Sequence, residues 1–420
     1  MKKKVLLKGP LLTRSGYGEQ ARFALRSLRS REDIFDIYIQ PIQWGKTSWI
    51  SLQDDERLWI DQTIEKTIGF IQSGGHLDIV LQVTIPNEWE RVQHAKNVGY
   101  TAGIETTAVA PLWVQKGNDQ VDNIIVVSEH AKESYVNTVL SATNRETGQQ
   151  IDDYRLTTPI ESVNYPVKTY ETLPELDLQL ATDFNFLVVA QFGPRKNLPN
   201  TLKWFVEEFA EEEIGLVIKT NLAKNCLMDR EKVASDLKEF MKTMPEHKCK
   251  VYLLHGDMTD EEMHSLYKHE KISAFVALPH GEGFGLPIFE AAYSGLPVVS
   301  VVWSGQRDFL YIDKEHKCYD VAFDIQPVQP EVVWENVLIK ESAWAYAREQ
   351  SAKEKMRQCY EDIRDNVEDS IASNAAEYAS LLHDRFSADK MYAQFVENVY
   401  PIQEMKEIES ELDDLLADLL

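Results

Sequence analysis

Apolar and polar positions alternate along this chain in two blocks that share one rhythm. In the first block the short apolar runs KKKVLLKG, IFDIYIQPI, LDIVLQVT, NVGYTAGI and NIIVVS predict strands. Between them GYGEQARFALRSLRS turns Ala21, Leu25 and Leu28 to one side at helical spacing, and LWIDQTIEKTIGFIQSGG predicts a helix that stops at Gly74–Gly75. SEHAKESYVNTVL predicts another helix. Ser128 is its N-cap, and Glu129 and Glu133 lie toward the positive end of its dipole. The second block opens with the strand FNFLVVAQF and the helix PNTLKWFVEEFAEE. It continues through strands IGLVIKT and CKVYLLHG, a helix TDEEMHSLYKHE capped by Thr259, and strands ISAFVALP and LPVVSVV.

Strands alternating with helices imply parallel sheets joined by right-handed crossovers. The polar stretch from Ser141 to about Asp183, with Gly148, Pro159, Pro166 and Pro174 and little periodicity, breaks the two blocks apart and reads as a linker. The expected architecture is α/β. Two Rossmann-like doubly wound domains face each other across a cleft, over residues 1–165 (with the linker at about 141–183) and 184–380, followed by helices over 381–420. Open parallel sheets bind ligands beyond the carboxyl ends of their strands, so two facing sheets place the site in the cleft. From Glu331 to Tyr400 the pattern is mostly helical. KEIESELDDLLADLL at the end reads as an acidic amphipathic helix that either packs Leu412, Leu415, Leu416 and Leu419 on its own protein or offers them to a partner or a second copy.

Composition narrows the function. The chain has 420 residues, 44% of them apolar, and a formal net charge of -24, which repels polyanions and disfavours a nucleic-acid surface or docking on anionic lipid. ARFALRSLRSR, over Ala21–Arg31, is the one cationic helical stretch. No apolar run is long enough to span a bilayer, and the start, MKKKVLLKGPLL, is too short in its apolar part for a signal peptide. Four scattered cysteines form no C-x-x-C pair and fit reduced thiols in a cytoplasmic protein.

The candidate chemistry sits in HGEGFGLPIFEAAYSGLPVVS, from His280 to Ser300. A strand runs into a glycine loop, Pro287 suits a first helical turn, and Gly295 ends the helix. Glu282 therefore precedes the helix and Glu290 lies about one turn inside it. Gly283 and its neighbours let the backbone come close to a ligand. The N–H groups of Phe284, Gly285 and Leu286 point out from a helix N-terminus, where anions bind. Carboxylates only accept hydrogen bonds, so they suit hydroxyl groups. A phosphate flanked by two polyhydroxylated pieces, as in a nucleotide sugar, satisfies all of these groups.

E-G-F-G-L-P-I-F-E followed by G-L-P-V-V resembles the E-x7-E signature of retaining GT-B glycosyltransferases, family 4 in particular (group 1 glycosyl transferases). The resemblance extends over about Phe184–Leu310 and more weakly over Met1–Leu140. It implies further donor-facing groups. SGYG at Ser15–Gly18 resembles the N-terminal glycine loop, with Gly16 and Gly18, although it also reads as a plain strand-to-helix turn. FGPRKN at Phe192–Asn197 resembles the basic pair that grips the diphosphate, Arg195 and Lys196. Gln191 stands where the family usually has a further arginine. His255 and Gly256 end a strand where backbone contacts to the base are expected, and SGQRDF at Ser304–Phe309 resembles a short loop beside the donor. Late helices of such folds often cross back, a role open to Ala388–Tyr400.

For the reacting centre, GYTAGIETT places Glu105 where the family often has a histidine. Glu105 either positions the acceptor hydroxyl, or acts as its base, or simply pairs with a nearby cation or caps Thr106–Thr107. His94 and His130 read as surface residues, and His280 abuts Glu282. No D-x-D occurs, so charge neutralisation falls to Arg195, Lys196 and helix amides, and no metal or other cofactor is expected. The implied activity is hexosyl transfer from a nucleoside-diphosphate sugar, with UDP the first expectation and GDP or ADP open. The acceptor is a glycan, a protein or a small polar molecule, and a glycosylated DNA base is disfavoured. A nucleotide-sugar-binding protein without transfer activity and a GT-B sugar epimerase remain the alternatives.

Overall fold

The computed structural model describes residues 2–402 other than 46, 144–147 and 149. The first half begins β1 (Lys3–Gly9), α1 (Gly16–Arg29), β2 (Phe35–Pro41), α2 (Asp55–Gln72), β3 (Ile79–Val83) and β4 (Lys96–Thr101). It continues with α3 (Pro111–Gln120), β5 (Asn123–Val126), α4 (Glu129–Val136), the hairpin β6 (Leu140–Thr143) and β7 (Gln150–Tyr154), and β8 (Ile160–Ser162). The second half runs β9 (Asn185–Val189), α5 (Leu198–Glu208), β10 (Gly215–Lys219), α6 (Leu227–Met241), β11 (Lys250–Leu254), α7 (Asp260–Tyr267), β12 (Ala274–Ala277) and α8 (Leu286–Tyr293). Then come β13 (Val298–Ser300), α9 (Arg307–Leu310), the short pair β14 (Tyr311–Ile312) and β15 (Glu315–His316), and β16 (Tyr319–Asp320). A second hairpin, β17 (Phe323–Pro327) and β18 (Ala343–Ala347), precedes α10 (Glu349–Arg364), α11 (Ala375–Arg385) and α12 (Ala388–Val399).

Two six-stranded sheets, ordered β2-β1-β3-β4-β5-β8 and β11-β10-β9-β12-β13-β16, form the two halves. Every pairing within them is parallel. Their central strands are apolar on both faces because helices cover both. Val5 and Leu7 enter one core and Leu6 another. The order reverses between β1 and β3 in the first sheet and between β9 and β12 in the second, and these reversals open the crevices where ligands bind. Local signals end the elements as their chemistry requires. Thr259 and Glu262 make a reciprocal capping box on α7. Gly295, at φ +92°, follows α8 in a conformation that disfavours a side chain.

Three expectations need correction. The stretch at about 141–183 is not a featureless linker: it holds the β6–β7 hairpin and β8, which pairs with β5 as the sixth strand of the first sheet. These strands are short and polar, so no period marks them. The region 331–400 is not helical from its start. Residues 328–342 form an irregular strap between β17 and β18, and helix begins at Glu349. The strap reaches the first half, where Val337 joins the core around Trp89 and Trp113, and Asn87 Nδ2 donates to the Asn336 carbonyl at 3.0 Å. The acidic stretch carrying Leu412, Leu415, Leu416 and Leu419 lies outside the described residues.

The third concerns His130, which is not a plain surface residue. Its ring meets Trp303 of the second half edge-on at 4.9 Å, and burial pushes its pKa down to about 4. His94 is exposed.

The chain's end ties the halves together. Phe289 on α8 packs against Phe386, just after α11, with ring centroids 5.3 Å apart. Phe395 on α12 packs instead on Phe23 of α1 at 5.2 Å and on Tyr100 of β4 at 4.9 Å. A ring series from Phe23 through Tyr165 (5.6 Å) to Phe284 (5.3 Å) makes the two cores continuous. Among the described residues no helix is long and apolar enough to cross a membrane.

Candidate functional site

The second sheet's reversal puts two loops side by side, 190–197 after β9 and 278–285 after β12. The first carries Arg195 and Lys196, the second Glu282. Arg195 Nη1 donates to the Gly281 carbonyl at 2.6 Å and to Glu282 Oε2 at 2.9 Å, and Lys196 Nζ donates to Glu282 Oε1 at 2.5 Å. Glu282 is fixed at its backbone too, since its N–H donates to Ser304 Oγ at 2.8 Å and its carbonyl accepts from Gly305 N at 2.9 Å. The SGQRDF segment thus supports the glycine loop from behind.

The first half closes the site from across the cleft. Glu105, in the loop after β4, lies 3.3 Å from Arg195 Nη2. Two carboxylates and two cations therefore form one compact, formally neutral group. Burial alone would raise the Glu282 carboxyl, yet Arg195 and then Lys196 hold it below its ordinary value. Burial opposes the Arg195 charge, but Glu105 and Glu282 outweigh it and keep the guanidinium firmly protonated. Burial pushes the Lys196 ammonium down, with Arg195 adding to the effect and Glu282 offsetting part of it.

The glycines of this loop serve the domain contact. A Cβ on Gly281 would lie 2.1 Å from the Glu105 carbonyl oxygen, and one on Gly283 would lie 2.9 Å from that of Ala102. The Gly283 carbonyl accepts a hydrogen bond from Ser128 Oγ at 2.6 Å. The expectation that these glycines make room for a ligand is corrected to that extent: at Gly281 and Gly283 the space is taken by the other half's backbone. Gly285, at φ +94°, turns the chain into α8, where Leu286 is the first residue and Pro287 follows. Phe284 sends its ring into the core, which leaves only its backbone for the site.

Glu290 stands apart from this group. It accepts a hydrogen bond from the Tyr267 hydroxyl at 3.1 Å, and burial pushes its carboxyl up to about 7. Close by, Lys168 bonds both Glu19 of α1 and Asp260 of α7 at 2.8 Å. His255 is also apart, its ring turned inward to Asp229 Oδ1 at 2.8 Å. Asp229 accepts as well from the N–H groups of Leu222, Ala223 and Lys224, so the pair shapes the loop beyond β10. Only the His255 backbone is left to meet a base. Gln191 spends its side-chain amide on the Leu222 carbonyl at 2.6 Å.

In the first half's glycine loop, Ser15 caps α1 and accepts from Gly18 N at 2.9 Å. A Cβ on Gly18 would strike the Thr13 carbonyl at 2.1 Å, whereas Gly16 has nothing within 4 Å. Gly18 is thus needed by the turn itself, and Gly16 faces open space. Next to it Tyr17 bonds Thr101 Oγ1 at 2.8 Å.

Sequence reasoning missed several groups at the cleft. Arg14 donates to the Met258 carbonyl at 3.1 Å across the halves. Asp308 accepts from Glu129 N at 3.0 Å and from Asn164 Nδ2 at 2.8 Å. Lys168 and Glu19 form the bridge described above. Asp308 lies within the SGQRDF segment and Glu19 within α1, but the partners of these groups are distant in sequence and no local pattern connects them.

Comparison with known proteins bears on the family and the fold. Residues 178–314 match the model of the family described as glycosyl transferases group 1. The serotype-specific mannosyltransferase WbdA of Escherichia coli is 26% identical over 225 residues, covering 50% of this chain and 24% of that protein. The chain thus spans about a quarter of the length of that curated relative. Among solved structures, a glycosyltransferase from Rickettsia africae superposes with a TM-score of 0.57 at 13% identity, covering 96% of this chain and 99% of that one. Anabaena HepE in complex with UDP-glucose gives 0.55 at 12% identity, over 94% of this chain and 99% of that one. Sucrose-phosphate synthase from Thermosynechococcus elongatus gives 0.56 at 11% identity, over 99% and 100%. At such identities the likeness speaks to the fold, and the fold is GT-B.

Proposed function

We propose that this protein is a hexosyltransferase. In this reading it moves a sugar from a nucleoside-diphosphate donor to an acceptor hydroxyl, with retention of configuration and without a metal. One observation carries the proposal: Arg195 and Lys196 meet at the switch point of the second sheet, beside the start of α8 and opposite Glu105. A diphosphate would draw both cations from Glu282, freeing that carboxylate to accept hydroxyls of the transferred sugar. The two cations then neutralise charge developing on the leaving phosphate, which is where such interactions lower a barrier most.

Glu290 would accept the ribose hydroxyls. The bond from C1 of the sugar to the phosphate oxygen breaks as the bond from C1 to the acceptor oxygen forms. The acceptor's proton passes to the departing phosphate oxygen on the same face, and Glu105 holds the acceptor hydroxyl in place. Likeness to a mannosyltransferase supports a hexose, and likeness to a protein bound to UDP-glucose supports UDP.

The test is a panel of nucleotide sugars scored by released nucleoside diphosphate. The wild type should release it from one donor, and Lys196→Ala and Glu290→Gln should each lose about 100-fold or more. A Lys196→Ala enzyme that turns over at the wild-type rate would overturn the reading.

A further inference from the structure

The loops that leave the carboxyl ends of β1 to β4 meet on the first half's side of the cleft. From the loop after β2, Trp44 lays its indole on the Tyr17 ring, with centroids 4.3 Å apart and planes tilted by 34°. The Tyr17 hydroxyl is tied at the end of β4, bonding Thr101 Oγ1 at 2.8 Å and accepting from Ala102 N at 3.3 Å. Burial holds that hydroxyl above its ordinary pKa against the pull of its Thr101 and Ala102 hydrogen bonds, and the charges of Glu105 after β4 and Glu88 after β3 add to the rise. Glu105 in turn touches Arg195. A line of contacts therefore runs from Gly283 of the glycine loop through Ala102 and Tyr17 to Trp44.

Neither tryptophan of this segment packs into a core, and the ring contact of Trp44 is with Tyr17. Trp44 is half-buried and Trp49 is 46% exposed, and neither belongs to any of the hydrophobic cores. Their segment is nonetheless well held. Ile50 N donates to the Leu12 carbonyl and Arg14 N to the Ser48 carbonyl, both at 2.8 Å, and Thr47 Oγ1 bonds the Trp44 carbonyl at 3.0 Å. A half-buried indole stacked on a tyrosine whose hydroxyl feels two carboxylates suits one ligand chemistry. The C–H face of a pyranose ring stacks on an aromatic plane, and its hydroxyls donate to carboxylates. A phosphorylated or otherwise anionic group would meet the charge of Glu88, which reaches the Tyr17 hydroxyl, while the Glu105 charge is offset by Arg195.

We propose that Trp44, backed by Tyr17, is the acceptor subsite, and that the acceptor is an uncharged saccharide whose ring stacks on the Trp44 indole. This rests on the transferase reading for the word acceptor. The binding site itself does not, so the two can fail separately.

The experiment uses the full chain and the methyl glycosides of glucose, galactose, mannose and N-acetylglucosamine. Saturation-transfer NMR records which ring protons receive magnetisation from the protein, with no nucleotide present. Thermal stabilisation by UDP and GDP is measured in parallel on each variant. At least one glycoside should show transfer to its ring C–H protons, with an affinity at least tenfold weaker in Trp44→Ala, partly restored in Trp44→Phe and reduced in Glu88→Gln. Nucleotide stabilisation should be the same in all three variants as in the wild type, which also shows that they fold.

Absence of a saccharide signal in the wild type, or a signal that Trp44→Ala leaves unchanged, overturns the proposal. Glucose 6-phosphate competing better than the neutral glycosides would overturn its uncharged class. Loss of nucleotide binding in the wild type, with the saccharide signal intact, would sink the transferase reading and leave the sugar site standing.

Discussion

Gly281 and Gly283 lie against the backbone of the first half, and their missing side chains are what allow it. A methyl group on Gly281 would need the Glu105 backbone to retreat, since the clash is with a carbonyl oxygen and not with the end of a flexible side chain. Gly281→Ala should therefore push the halves apart, cost about 1–3 kcal/mol in chemical denaturation, and abolish nucleotide release along with the Glu105–Arg195 contact. Gly16→Ala is the useful contrast. Gly16 opens α1, has no atom within 4 Å of its would-be Cβ and does not adopt a left-handed φ, so stability should stay level or rise slightly. A fall in nucleotide release from Gly16→Ala with stability intact would place that residue against a ligand. Wild-type stability and rate in Gly281→Ala would mean that the halves separate freely and that the contact is incidental.

Among the elements, the strap at residues 328–342 has the clearest mechanical consequence. It leaves the second half and drops Val337 into the first half's core, and where it enters β18 the Thr107 N–H donates to the Ala343 carbonyl at 3.3 Å while Thr107 Oγ1 accepts from Ala343 N at 3.0 Å. β18 also carries Trp344 and Tyr346 against His280, so strap, glycine loop and the Glu105 segment share one set of contacts. Val337→Asp places a charge in an apolar core. It should release the strap, seen as new proteolytic cleavage within 328–342 and a larger radius of gyration, with nucleotide release falling as the Glu105 side loosens. Resistance to protease equal to the wild type would refute the strap's role.

The same region marks where sequence reading stops. The central strands β9 and β12, the caps at Ser128 and Thr259, and the break at Gly295 were legible because each depends on neighbours a few residues away. Arg195, Lys196 and Glu282 were legible because two compact loops carry them. AWAYA at 343–347 was not. Its alanines favour helix, and it is a strand only because Phe323–Pro327 lies beside it. β8 is three polar-flanked residues whose partner, β5, precedes it by 36 positions, as in the pair Ile124 and Ile160. Lys168 looked like any linker lysine, and its meaning comes from Glu19 and Asp260, which no local pattern connects to it.

Across the whole molecule, closure of the cleft rests on polar contacts of different elements: Arg14 to Met258, Ser128 to Gly283, Lys168 between Glu19 and Asp260, and Asp308 to Glu129 and Asn164. Of these, Asp308 titrates within an accessible range. Burial pushes its carboxyl up to about 6 from an ordinary 3.8, against the pull of the Glu129 N–H and the Asn164 amide, and with Glu129 and Glu133 adding repulsion. A folded-state value above the unfolded one means that the native chain holds an extra proton between the two. The associated stability is full below 3.8 and is lost as pH rises through 6. Both hydrogen bonds reach a single oxygen, Oδ2, so the amide oxygen of Asp308→Asn can accept both. That variant keeps the contacts and removes the ionisation. It should match the wild type in thermal unfolding near pH 4, and at pH 8 it should be more stable by on the order of 2 kcal/mol. A stability difference that stays constant from pH 4 to pH 8 would show that Asp308 holds the halves together without sensing the proton. A variant weaker at every pH would show that the ionised carboxylate at the start of α4 is itself the better clamp.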